Sequence, residues 1–129
     1  MRSMAPKILI VDDELLMRML YKGHIEKAGY QLITAKSAEE GVALAKAEKP
    51  ALVVLDVIMT GADGLAALRE LKANDETKDI PVIIFTASIS QAHHETRQES
   101  ATAGAALFLT KPISPTQLVA EISRLVPIV

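Results

Sequence analysis

Leu52-Val53-Val54-Leu55-Asp56 sets four branched apolar residues directly before a carboxylate. A continuous apolar run of this length, bounded by turn signals, reads as a strand buried on both faces. Val57-Ile58-Met59 follows, then the loop-forming cluster Thr60-Gly61-Ala62-Asp63-Gly64. Asp56 is therefore expected at the carboxyl end of a central strand. In open α/β sheets ligands bind just outside such ends. Asp56 is the candidate reactive centre, and the other segments matter by what they bring to it.

Two similar runs flank it. Lys7-Ile8-Leu9-Ile10-Val11 ends in Asp12-Asp13-Glu14, and Pro81-Val82-Ile83-Ile84-Phe85 ends in Thr86-Ala87-Ser88. Shorter strands are expected at 31–35 and 106–109, the second running into Thr110-Lys111-Pro112. Helical spacing fills the gaps. Residues 14–28 bring Leu16, Leu20 and Ile25 near one stripe, with His24 edging the core and Gly29 suited to cap the end. Ser37-Ala38-Glu39-Glu40 and Ser114-Pro115-Thr116-Gln117 are capping boxes, the second with proline at the first helical position. Leu65, Leu68 and Leu71 mark a helix opened by Gly64, and Leu118, Ile122 and Leu125 mark the last one. Residues 91–103 are expected to form a helix with almost no large apolar side chain, loosely packed and mobile.

Five strand–helix units with short connections imply an α/β fold: a (βα)5 doubly wound, five-stranded parallel sheet covered on both faces. Parallel strands end on one edge. Asp12, Asp13, Asp56, Thr86 and Lys111 should meet there.

The 129 residues suit a single domain over 1–129, with a core at about 7–126. Half of the residues are hydrophobic, which argues against disorder. A net charge of −2 and no long basic run argue against nucleic-acid binding. The absence of cysteine excludes disulfides and thiolate metal sites and fits a reducing cytoplasm. No apolar stretch reaches membrane-spanning length or the form of a signal peptide.

Three carboxylates on one rim repel unless something compensates them. A hard divalent cation such as Mg²⁺ takes oxygen ligands and one or two carboxylates. Lys111 would add a positive charge and Thr86 a hydroxyl donor. Carboxylates, cation, ammonium and hydroxyl around one point suit a transferring phosphoryl group, with a carboxylate as nucleophile.

Ile10-Val11-Asp12-Asp13-Glu14, Val54-Leu55-Asp56, Asp63-Gly64, Phe85-Thr86-Ala87 and Gly104-Ala105 with Phe108-Leu109-Thr110-Lys111-Pro112 occur in this order. In these motifs the chain resembles the response-regulator receiver domains of bacterial two-component signalling. The resemblance covers about residues 7–126 and implies a flavodoxin-like receiver fold with strand order 2-1-3-4-5. It also implies roles. Asp56 would accept a phosphoryl group from a histidine kinase or histidine phosphotransfer protein, in a phosphorelay or directly. Asp13, Asp56 and the backbone carbonyl of Ile58 would ligate Mg²⁺ (or Mn²⁺), with Asp12 acting through water. Lys111 would pair with Asp56 and then with the phosphoryl oxygens. Thr86 and the aromatic Phe108 would form the switch, small Ala87 would leave room for Thr86, and Lys111-Pro112 would be the place of a cis peptide. The protein would catalyse its own phosphorylation and dephosphorylation without being a conventional enzyme. Its output partner or fused output domain is not specified.

Departures from the family pattern are Thr60 in place of a common proline, the small Ala62, and about three extra residues within 88–96. Apolar Ile58 offers the hydrolytic water no hydrogen bond, so slow hydrolysis is expected. A rival reading is a degenerate receiver acting as a phosphorylation-independent interaction module. A small phosphatase is disfavoured because Ile58 stands where a second acid is needed, and a flavin-binding fold because no phosphate loop follows the first strand. His93-His94 reads as solvated surface and Met17, Met19 and Met59 as packing.

Overall fold

The computed structural model describes residues 5–56, 58–59, 62–87, 98, 101–111 and 113–128. In chain order the elements are β1 (Lys7–Val11), α1 (Leu15–Lys27), β2 (Gln31–Ala35), α2 (Ala38–Glu48), β3 (Leu52–Leu55), β4 (Ile58–Met59), β5 (Ala62–Asp63), α3 (Gly64–Ala73), β6 (Val82–Ala87), β7 (Leu107–Lys111) and α4 (Pro115–Leu125). Five strands form one parallel sheet in the order β2-β1-β3-β6-β7. Counted along the sheet's own strands, that is the expected 2-1-3-4-5.

The alternation of side chains along each strand divides the interior in two. Leu9, Val11, Val53, Leu55, Val82 and Ile84 face one way, onto Val42 and Ala45 of α2 and Ala67, Leu68 and Leu71 of α3. Ile8, Ile10, Leu52, Val54, Ile83 and Phe85 face the other way, onto Tyr21 and Ile25 of α1 and Leu118 and Ile122 of α4. β3 is buried along its whole length, as a central strand covered on both faces must be.

Both capping serines act. Ser37 Oγ accepts from the Glu40 N–H, while Glu40 Oε1 accepts from Lys36 N–H, one residue before the cap. At α4 the box is complete, with Ser114 Oγ accepting from Gln117 N–H and Gln117 Oε1 accepting from Ser114 N–H. Gly29 takes a positive φ of 106° just past α1. α2 ends instead on Lys49 in the left-handed region, at φ 47°. Tyr30 donates to the Val126 carbonyl at 2.6 Å and ties the start of β2 to the end of α4.

Several expectations need correction. The core-facing stripe of α1 is the buried Tyr21 and Ile25 with the partly buried Met17, not Leu16, Leu20 and Ile25. A helix turns about 100° per residue, so Ile25 lies about half a turn from Leu16. Leu15, Leu16, Met19 and Leu20 are exposed, and so is His24. The stretch after Asp56 is not all loop: β4 and β5 pair antiparallel, Ile58 opposite Asp63 and Met59 opposite Ala62. β6 and β7 run further than expected, carrying Thr86 and Lys111 within the ladder itself. Four helices of eight residues or more are present among the described residues. The expected helix at 91–103 falls mostly outside them, as do His93, His94 and the peptide at Pro112.

Candidate functional site

Register puts the site together. Val11 pairs with Leu55 and Leu55 with Ile84, so Asp12 and Asp56 leave neighbouring strands at one level. Backbone bonds from Asp12 N–H to the Ala35 carbonyl and from Asp56 N–H to the Val11 carbonyl hold them there, each at 3.0 Å. One strand over, Thr86 pairs with Thr110 and Ala87 with Lys111.

The side chains converge. Thr86 Oγ1, fully buried, donates to Asp56 Oδ1 at 2.7 Å. Lys111 Nζ donates to Asp12 Oδ2 at 2.7 Å and to Asp56 Oδ2 at 3.1 Å. These are nearly dry ion pairs, with the lysine side chain 10% exposed and both aspartates 5%. Asp13 completes an acidic trio in which one oxygen each of Asp12, Asp13 and Asp56 lies within 4.8 Å of the others. Phe108 is partly buried against the α2–α3 face of the core. Ile58 begins β4 two residues past Asp56.

Burial is the largest single influence on the Lys111 ammonium and pushes its pKa down. The hydrogen bond to Asp12, the charges of Asp56 and Asp12, and the hydrogen bond to Asp56 outweigh it, so the pKa stands above its ordinary value. Lys111 is a fixed cation, yet the rim carries three carboxylates, those of Asp12, Asp13 and Asp56. The remaining negative charge and an all-oxygen donor set fit a hard divalent ion such as Mg²⁺ or Mn²⁺. The trio therefore has the chemistry to bind a metal.

Some contacts were not expected from sequence. Asp12 Oδ1 accepts from Glu14 N–H at 2.9 Å and so serves the start of α1, where the Glu14 side chain makes no cap. Arg18 donates to the Asp12 carbonyl at 2.6 Å. The Lys111 ammonium sits 5.3 Å from the centroid of the Phe85 ring. Tyr21 meets Phe85 edge-on and donates to the Ile113 carbonyl at 2.8 Å. The signal for Tyr21 was its i, i+4 spacing from Met17 and Ile25.

The model of the response regulator receiver domain matches residues 8–123. The chain belongs to the response-regulator receiver family. PilH of Pseudomonas aeruginosa is 37% identical over 117 residues, covering 91% of this chain and 94% of PilH. The phosphate regulon transcriptional regulatory protein PhoB of the same species is 36% identical over 115 residues, covering 89% of this chain. The chain spans about half the length of PhoB, 49%. Among solved structures, the chemotaxis response regulator CheY4 of Vibrio cholerae superposes with a TM-score of 0.85 at 27% identity, covering 95% of this chain and 99% of CheY4. The receiver family, its place in two-component signalling and its sheet order are thus as the motifs indicated. Among the described residues no helix is long and apolar enough to cross a membrane.

Proposed function

We propose that this receiver accepts a phosphoryl group on Asp56 from a phosphohistidine of a histidine kinase or histidine phosphotransfer protein, and that the modified site changes partner binding through Thr86 and Phe108. The observation that carries this reading is the double engagement of Asp56, by the Thr86 hydroxyl and the Lys111 ammonium, within the acidic trio.

An Asp56 oxygen attacks phosphorus as the P–N bond breaks, and the bond's electron pair returns to the imidazole. Asp13, Asp56 and the Ile58 carbonyl would hold Mg²⁺ or Mn²⁺, which when bound supplies charge neutralisation at the phosphoryl oxygens. Asp12, the third member of the acidic trio, would contact the ion through water. Lys111 is placed to pair with the phosphoryl oxygens once Asp56 carries the group. Thr86 then finds stronger acceptors there than on Asp56, whose charge has been partly given up. Its hydroxyl leaves Asp56 Oδ1, and Phe108 responds on the adjacent strand. Attack by water on phosphorus releases inorganic phosphate and resets the site. The chain promotes its own modification and has no separate substrate to turn over. The phosphodonor protein approaches beside α1, where Leu15, Leu16, Met19 and Leu20 stand exposed next to the rim.

Intact-mass spectrometry after incubation with acetyl phosphate and Mg²⁺ tests the reading. The expected result is one added phosphoryl group on the native chain and none on Asp56→Asn. No addition to the native chain, or equal addition to both, contradicts it and favours the phosphorylation-independent module.

A further inference from the structure

Lysine is a compact charge on a flexible four-carbon stem, so its place at a reaction centre has to be imposed. The two aspartates attract Lys111 but do not fix its approach. Tyr21 on α1 is 2% exposed and touches both segments that do. Its hydroxyl donates to the carbonyl of Ile113, two residues past Lys111 and 92 positions away from Tyr21. Its ring packs edge-on against Phe85, with centroids 5.4 Å apart and planes at 73°. Phe85 directly precedes Thr86, and its ring lies 5.3 Å from the Lys111 ammonium, within cation–π range.

We propose that Tyr21 is a positioning residue for Lys111: its hydroxyl fixes the chain beyond the lysine, and its ring fixes the aromatic surface beside the ammonium. This rests on the phosphoryl-transfer reading above. Phenylalanine would fill the same core space, so the hydroxyl is the part with a specific task. A buried phenol needs a partner, and this one finds it in the segment that follows the catalytic lysine rather than in its own helix. Burial, the largest influence, raises the Tyr21 pKa, Lys111 lowers it and Asp12 raises it; the net rise keeps the hydroxyl a donor.

The test uses the whole chain and three variants. Tyr21→Phe keeps the ring and loses the hydroxyl; Tyr21→Leu loses both. Ile25→Val trims the same helix and the same core away from Lys111 and serves as a stability control. Initial rates of phosphorylation by acetyl phosphate, Mg²⁺ affinity by calorimetry, melting temperature and the ¹H–¹⁵N signal of the Lys111 ammonium are compared. Tyr21→Phe is expected to slow phosphorylation about fivefold and Tyr21→Leu about twentyfold, misplacement by a fraction of an ångström being sufficient. Mg²⁺ affinity should not fall, because Lys111 is not a ligand, and the ammonium signal should shift or broaden. Ile25→Val should leave rate and signal as they are despite a comparable loss of melting temperature. A native rate and signal in Tyr21→Phe overturn the proposal. So does a rate loss matched by Ile25→Val or by weaker Mg²⁺ binding, or a changed signal with a native rate. If the native chain takes no phosphoryl group, the functional reading fails, and the ammonium signal alone decides for or against Tyr21.

Discussion

Both carboxylate oxygens of Asp12 are engaged, one by the Glu14 N–H at the start of α1 and one by Lys111. Asp56 is held in the same way by Thr86 and Lys111. The ammonium is thus the cation that two buried carboxylates share. Lys111→Met should cost about 3 kcal/mol in urea unfolding without metal, because breaking a buried pair leaves charge uncompensated. Added Mg²⁺ should restore more stability to this variant than it adds to the native chain, since the ion no longer shares its ligands with an ammonium. Equal stability of variant and native chain without Mg²⁺ would count against the shared-cation view. At this scale the sequence was readable where chemistry sits at a strand end: Asp12, Asp13, Asp56, Thr86 and Lys111 follow from parallel strands alone. Tyr21 and Phe85 were not readable as site residues. An aromatic residue on an apolar stripe signals burial, and nothing local says what its hydroxyl will reach 92 positions away.

α1 shows how a helix face can be misread. Leucines at 16 and 20 are one turn apart and suggest a core stripe, but the residues that join Ile25 against the core lie one position further on, the partly buried Met17 and the buried Tyr21. Tyr21 makes the difference, because only that rotation gives its hydroxyl the Ile113 carbonyl. The exposed leucines then become available to a partner. Leu16→Gln should leave stability within about 0.5 kcal/mol, as for most surface changes. It should slow transfer from a phosphohistidine protein about tenfold, as loss of a contact residue does, while acetyl phosphate reacts as before. Equal rates from the protein donor would remove α1 from the docking surface. α2 carries the opposite constraint. A Cβ at Gly41 would stand 2.6 Å from Val11 Cγ2, in the strand that leads into Asp12. Alanine there gains helix propensity but overpacks a buried valine, so Gly41→Ala should destabilise by about 1–3 kcal/mol. Val11→Ala in the same chain should recover part of the loss. Additive losses in the double variant would show that the two positions are not in conflict.

Across the whole molecule, one sheet separates two cores, and the acidic rim lies where the strands between them end. The two-sidedness was legible in the continuous apolar strands, whereas the strand order was carried over from the family. The β4–β5 ladder escaped notice because two-residue strands leave no periodicity to detect. Tyr21 joins α1 to the core shared with α4, and its raised pKa has a consequence for the entire fold. Its folded-state pKa lies above the unfolded value, so the associated stability is present below about pH 10 and is lost as pH rises through the folded pKa. The urea midpoint of the native chain should therefore drop more steeply above about pH 10 than that of Tyr21→Phe. Parallel curves would deny the phenol this role. The most direct test of the central claim is a crystal structure grown with Mg²⁺ and beryllofluoride, a phosphoryl mimic. The expected result is the mimic on the Asp56 carboxylate, with its fluorines bonded by Lys111 Nζ and Thr86 Oγ1. A mimic absent from Asp56, or bound there with Lys111 turned away to solvent, would contradict it.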